Sequence, residues 1–341
     1  MIRDFSNAPP DLDGRGILVT GGTGSFGKAF IKRVLETWKP ARLVVFSRDE
    51  FKQYEMEQAL NASRPPNLRF FIGDVRDSER LAMAMRGIDV VVHAAALKHV
   101  PAAEYNPFEC ISTNVYGAEN VVRAAMRANV RQVIALSTDK AVNPVNLYGA
   151  SKLAAEKIFV AANSLSAGHG PVFSVVRYGN VLGSRGSVLP LFRRLIAEGV
   201  TELPITDERM TRFWITMRQG IDFVLSSLRR MKGGEVFVPK IPSLKIVDLA
   251  RWLAPGTRHK VIGIRPGEKI HEVLLTEDDA PYVYEFDDCY IITPRFQYWD
   301  SAATKLPGSR LVETGFRYAS NSNAEWVDEK VLREMLKEAD L

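Results

Sequence analysis

Ser137-Thr138-Asp139-Lys140, followed closely by Tyr148-Gly149-Ala150-Ser151-Lys152, places hydroxyls, a carboxylate, two ammonium groups and a phenol within sixteen residues. The second half is a Tyr-x-x-x-Lys pair, the spacing at which helical side chains share a face. A lysine held beside a tyrosine favours the phenolate and lowers the phenol's pKa from about 10. Tyr148 then becomes a proton acceptor near neutral pH, tuned by Lys152. Alone, such a pair is usually a surface tyrosine stacked on a lysine stem; the upstream sequence gives it weight.

Gly16 to Gly27 reads as an apolar strand, a turn with three spaced glycines, and a helical pattern from Phe26 to Leu35. Gly21 permits the tight turn, Gly24 lets the backbone approach a pyrophosphate, and Gly27 lets the helix pack on the strand. Thr23, Ser25 and Phe26 complete a phosphate-binding turn whose helix N-terminus offers free N–H groups. A second strand, Leu43–Phe46, ends in Ser47 and Arg48, with Lys52 one turn later. An arginine there accommodates a 2′-phosphate, which favours NADP; Asp49, one residue on, keeps NAD open.

Three more strands follow: Leu68–Ile72, exiting at Asp74 and Val75 beside an adenine; Ile88–His93, ending at Ala94; and Val133–Leu136, which delivers Ser137 to Lys140. Helical patterns run from Glu109 to Ala128 and from Tyr148 to Ala162. The alternation predicts an α/β fold, a doubly wound parallel (Rossmann) sheet with its ligand at the strands' carboxyl ends. Residues 1–180 form the dinucleotide-binding domain, and 181–341 a smaller substrate-binding domain interdigitated with it.

At 341 residues the chain can bury a large core. A net charge of +5 with no basic run suits an anionic metabolite better than nucleic acid. Cys110 and Cys289 lie far apart without metal spacing, as free thiols of a reducing compartment. His93 and His99 also lack ligand spacing, so no metal is expected. The first residues carry no signal-peptide pattern and no apolar run reaches about 18 residues, so a soluble cytoplasmic protein with no membrane span is expected.

A sixth strand, Val172–Val176, leads into Arg177-Tyr178-Gly179-Asn180-Val181-Leu182-Gly183-Ser184-Arg185-Gly186-Ser187-Val188. This loop would wrap a polar ligand through Asn180, Ser187 and Val188; a plain turn-rich loop is the competing account. Arg212 and Arg265 are suited to a diphosphate, and Glu268 to ribose hydroxyls.

With these motifs in view (TGGTGSFGK, FSRDE, GDVRD, HAAALKHVP, LSTDKAVNPVNLYGASK, RYGNVLGSRGSVLP, MTRFW and IRPGEK), the chain resembles the extended short-chain dehydrogenase/reductase family. Within it, the chain is similar to the inverting UDP-N-acetylglucosamine 4,6-dehydratases (PseB type), over roughly Gly16 to Trp326. The resemblance implies NADP, UDP-N-acetylglucosamine, the first step of pseudaminic acid synthesis, and a homo-oligomer, commonly a hexamer in relatives. Asp139-Lys140 replaces the Asp-Glu of ordinary nucleotide-sugar 4,6-dehydratases and marks the inverting branch. Tyr148 stands where a sister group that also epimerises has methionine, and the N-terminal spans of the large membrane-bound homologues are not expected.

The resemblance also implies roles. Tyr148 takes the C4 hydroxyl proton while Thr138 holds that oxygen; Lys140 removes the C5 proton, and protonated Asp139 delivers a proton to the leaving C6 hydroxyl. Lys98 is implied as a cofactor or substrate contact. Lys140 must be neutral to act as a base, and burial with nearby positive charge is expected to lower its pKa. Burial is expected to raise that of Asp139. Two other readings stay open: a nucleotide-sugar 4-epimerase or reductase using Thr138, Tyr148 and Lys152 without elimination, and a non-catalytic dinucleotide sensor.

Overall fold

The computed structural model describes residues 3–6, 9–60, 65–166, 170–184, 186–295 and 306–339. Six parallel strands are laid down by the apolar runs: β1 (Gly16–Thr20), β2 (Arg42–Ser47), β3 (Leu68–Ile72), β4 (Val90–His93), β5 (Gln132–Thr138) and β6 (Val172–Tyr178). Their order is β3-β2-β1-β4-β5-β6, the doubly wound arrangement with its switch point between β1 and β4. Near-continuous Val, Ile and Leu reflect burial on both faces; every residue of β1 and β4 is buried.

Beyond β6 the sheet takes its remaining strands from the C-terminal half. Val236–Pro239 pairs parallel with β6, and Cys289–Ile292, Val283–Glu285 and Arg310–Leu311 follow antiparallel, making ten strands. A second core gathers Leu189, Phe192, Leu203, Trp214 and Leu249. It builds a lobe over the cleft, with the small sheet of Asn180–Val181, Thr211–Ile215 and Ser243–Lys245.

Two helices matter to the site: α1 (Ser25–Thr37), leaving the glycine turn, and α2 (Leu147–Ser166), carrying Tyr148 and Lys152. The expected continuous helix from Glu109 to Ala128 differs in detail. A π-helical turn, Ser112–Tyr116, separates Pro107–Ile111 from Gly117–Arg127. In that turn Asn114 accepts from Leu97 N (2.8 Å) and donates to Leu97 O (2.9 Å) and Ser151 Oγ (2.9 Å). It thereby ties the loop after β4 to α2. Both cysteines are buried and unpaired. No helix among the described residues is long and apolar enough to cross a membrane.

Candidate active site

A cleft of about 660 Å³ opens at the carboxyl ends of β1 to β6. Its floor is the glycine turn. Gly21 has φ +64°, and a Cβ there would stand 2.9 Å from the Ala95 backbone; a Cβ on Gly27 would meet Gly22 Cα at 2.5 Å. Bare backbone is therefore required. Gly24 starts α1 without a side-chain cap, leaving first-turn N–H groups for a ligand. Thr23, Ser25 and Phe26 line the same turn. The cradle fits a dinucleotide's pyrophosphate.

The rest of the expected cofactor wall also converges here. Thr23 Oγ1 and Ser47 Oγ share a hydrogen bond of 2.7 Å that binds the turn to the end of β2. Arg48 lies at the lining, its side chain 55% exposed and 3.7 Å from Asp74. Lys52 pairs with Asp49 at 2.5 Å, and Asp49 also accepts from Lys52 N as a helix cap. Val75, Ala94 and Lys98 complete this side. At Lys98, burial first and the Lys140 charge second lower the amine's pKa.

β5 continues past Leu136 through Ser137 and Thr138, which still pair with Arg177 and Tyr178. Polar side chains concealed that extension in the sequence. A single 3-10 turn, Asp139–Ala141, then presents the acid and the amine. Thr138 Oγ1 donates to Asp139 Oδ1 at 2.9 Å, and Lys140 Nζ donates to the same oxygen at 3.1 Å. Asp139 is fully buried behind the cleft wall, while Thr138, Lys140, Tyr148 and Lys152 line the cleft. Lys152 Nζ donates to the Leu136 carbonyl oxygen at 2.7 Å.

Two electrostatic expectations are corrected. Lys140 is not pushed toward neutrality: Asp139 and a second carboxylate, Glu272, whose Oε1 is 3.5 Å from Nζ, outweigh burial and raise its pKa. Tyr148 is not lowered by Lys152. Burial pushes its phenol up to about 12, against the opposing pull of Lys140 and the Thr138 hydrogen bond. Lys152 itself is lowered to about 8 by burial. Asp139 is raised, chiefly by burial, as required of an acid.

On the lobe side, Asn180 and Ser187 reach the cleft, and Asn180 Oδ1 and Ser187 Oγ are buried with no hydrogen-bond partner among the described residues. Val188, Arg212, Arg265 and Glu268 do not line it. Val188 begins a helix whose apolar side packs in the lobe. Arg212 is buried and donates to the carbonyls of Thr211, Lys269 and Ile270, so it does not join the exposed Arg265 in a phosphate clamp. Glu268 keeps one buried oxygen, Oε2, with no hydrogen-bond partner among the described residues. Arg185 lies outside the described residues. Glu272 escaped the sequence reading; a lone acid opening the run Glu272-Val273-Leu274-Leu275 was its only signal.

The model of a family described as polysaccharide biosynthesis protein matches residues 17–294. The chain belongs to that family. It is 54% identical to the UDP-N-acetylglucosamine 4,6-dehydratase (inverting) of Campylobacter jejuni subsp. jejuni serotype O:2, covering 96% of this chain and 98% of that one. It is 41% identical to the UDP-glucose 4-epimerase of Rickettsia canadensis, covering 93% and 95%. Among solved structures, Pen from Bacillus thuringiensis superposes with a TM-score of 0.87 at 35% identity, covering 96% and 99%. DesIV, a dTDP-glucose 4,6-dehydratase from Streptomyces venezuelae with NAD bound, follows at 0.64 and 25%, covering 74% and 86%. A family of α/β dehydratases and epimerases acting on nucleotide sugars is thus the setting for this site.

Proposed function

We propose that this protein is an inverting UDP-N-acetylglucosamine 4,6-dehydratase, a hydro-lyase that converts its substrate to UDP-2-acetamido-2,6-dideoxy-β-L-arabino-hex-4-ulose. One observation carries the reading beyond family membership. A buried carboxyl, Asp139, and an amine, Lys140, stand together at the wall that also holds Thr138, Tyr148 and Lys152. An epimerase needs only the last three.

A sugar C5 proton is barely acidic until C4 is a ketone, so oxidation comes first. The nicotinamide supplies a two-electron reservoir, so hydride lost at C4 is regained at C6 and no cofactor is consumed. Thr138 holds the C4 oxygen and Tyr148 takes its proton, a general-base role worth about 10²–10⁴-fold in rate. Lys140, once it has released to solvent the proton that Asp139 and Glu272 favour, then removes the C5 proton. Asp139, kept protonated by burial, donates to the departing C6 hydroxyl, which leaves as water. A proton returned to C5 from the opposite face inverts that centre.

NADP is the dinucleotide this reading assigns. Asp49 is engaged as a helix cap and as the partner of Lys52, whereas Arg48 stands half-exposed at the lining. Asn180 and Ser187, with unpartnered buried oxygens, are the residues to meet the nucleotide sugar.

Incubation with UDP-N-acetylglucosamine in heavy water, followed by NMR, tests the reading. The expected product carries a C6 methyl, deuterium at C5 and the L-arabino configuration, with no accumulation of reduced cofactor. Simple epimerisation at C4 that survives Lys140→Ala would instead identify an epimerase.

A further inference from the structure

Glu272 lies 132 residues from Lys140 in the chain, yet its Oε1 is 3.5 Å from Lys140 Nζ. Its side chain is 3% exposed, whereas that of Lys140 is 26% exposed and faces the cleft. The carboxylate thus stands behind the amine, away from substrate. Its backbone is pinned on both sides by Ser320: Glu272 N donates to Ser320 Oγ at 2.9 Å, and Ser320 N donates to Glu272 O at 2.8 Å.

The charges around the pair are few and nameable. Lys269 Nζ is 3.4 Å from Glu272 Oε2, and Arg212 Nε is 3.8 Å from Oε1. Both cations are already tethered, Lys269 to the Val142 carbonyl at 2.7 Å and Arg212 to three carbonyls. Asp139, Tyr148 and Lys98 face Lys140 from the other elements of the wall. With three cations about it, Glu272 stays ionised despite burial. Asp139 differs: as the proposed acid it carries a proton while the C6 hydroxyl leaves. At that stage the neighbouring counter-charge to the Lys140 ammonium is Glu272.

We propose that Glu272 is a positioning residue of the reaction, anchoring Lys140 from behind the cleft wall and setting the pH above which that amine can remove the C5 proton. The proposal rests on Lys140 being the C5 base. Proton removal requires the ammonium to lose its proton first, and a carboxylate at this range opposes that loss.

The test is the pH dependence of deuterium incorporation at C5 in wild type, Glu272→Gln, Lys269→Met and Lys140→Ala, with circular dichroism on each. Glu272→Gln is expected to move the rise in rate to lower pH by about one to three units. At a pH below the wild-type rise, this variant should therefore exchange at least tenfold faster per correctly bound substrate. Lys269→Met, which removes a competing cation from Glu272, should move the rise the other way. Should Glu272→Gln fail to fold, Lys269→Met decides alone. Rises that coincide with wild type in the folded variants overturn the role of Glu272. Exchange that survives Lys140→Ala overturns instead the assignment of the base.

Discussion

Gly149 lies directly against the carbonyl oxygen of Lys140, so close that a Cβ on residue 149 would overlap that oxygen. The contact is where the first turn of α2 meets the 3-10 turn holding the acid and the amine. Gly149→Ala must push the two apart and displace Tyr148 from Lys140. Displacement of about 1 Å can cost about 10²-fold in rate. Dehydration measured by product NMR should fall by that order, while dinucleotide binding, measured by fluorescence titration, stays near wild type.

Arg48 should discriminate between dinucleotides. A charge-assisted hydrogen bond to a 2′-phosphate contributes about 1.5–3 kcal/mol, reduced here by exposure. Arg48→Ala is expected to weaken NADP binding about tenfold and to leave NAD nearly unchanged. Equal losses for both, or none, would remove the case for NADP.

His93 predicts an acid-side loss of stability. Its Nδ1 is 2.8 Å from Thr20 Oγ1, which also accepts from Ala94 N and Ala95 N at 3.1 and 3.2 Å. The hydroxyl's one proton therefore points to Nδ1, and the ring is neutral. Burial, aided by Lys152, lowers its pKa to about 3, against about 6.5 unfolded. Between those values the unfolded chain binds more protons, so stability falls as pH drops through that window, by up to about 1.4 kcal/mol per unit. Urea unfolding of wild type and His93→Gln from pH 7 to 4.5 checks this; the variant's profile should be flatter by one proton.

Arg177 and Glu156 form a buried two-point ion pair, Nε–Oε1 3.1 Å and Nη2–Oε2 2.7 Å, joining β6 to α2. Arg177→Met leaves a buried carboxylate uncompensated and should cost about 3–5 kcal/mol. The double variant Arg177→Met/Glu156→Leu should recover much of that, because the unpaired charge is gone. Denaturant midpoints of the four proteins in the cycle measure the difference.

Local pattern explains what could be read in the chain. Leu68–Ile72 was legible to the residue because turn residues flank an apolar run. The Gly21-Gly24-Gly27 spacing likewise announces a backbone cradle by itself. Tyr148 and Lys152 fell on one helix, as their spacing required. What failed was the sign of the electrostatics at Lys140: the adjacent Asp139 carboxylate pulls hardest against burial, and Glu272, which only tertiary structure brings close, adds to it. Arg212 misled for a related reason: an arginine beside aromatics gives no hint that three carbonyls await it. The π-helical turn at Ser112–Tyr116 has no periodicity signal distinct from the helix around it.

The sheet's dependence on its late strands constrains how this enzyme can be altered. A fragment stopping at residue 180 would leave the seven residues of β6 with one bare hydrogen-bonding edge, which Val236–Pro239 otherwise occupies. It would also lose Met217–Arg230, the helix whose Leu228 carbonyl accepts from Gln132 and whose Asp222 pairs with Arg33 on α1. Open edges of that kind invite intermolecular pairing. The lobe over the cleft is consequently no cassette: swapping substrate preference by exchanging everything after residue 180 would uproot four of the main sheet's ten strands, whereas grafts confined to residues 182–215 touch none of them.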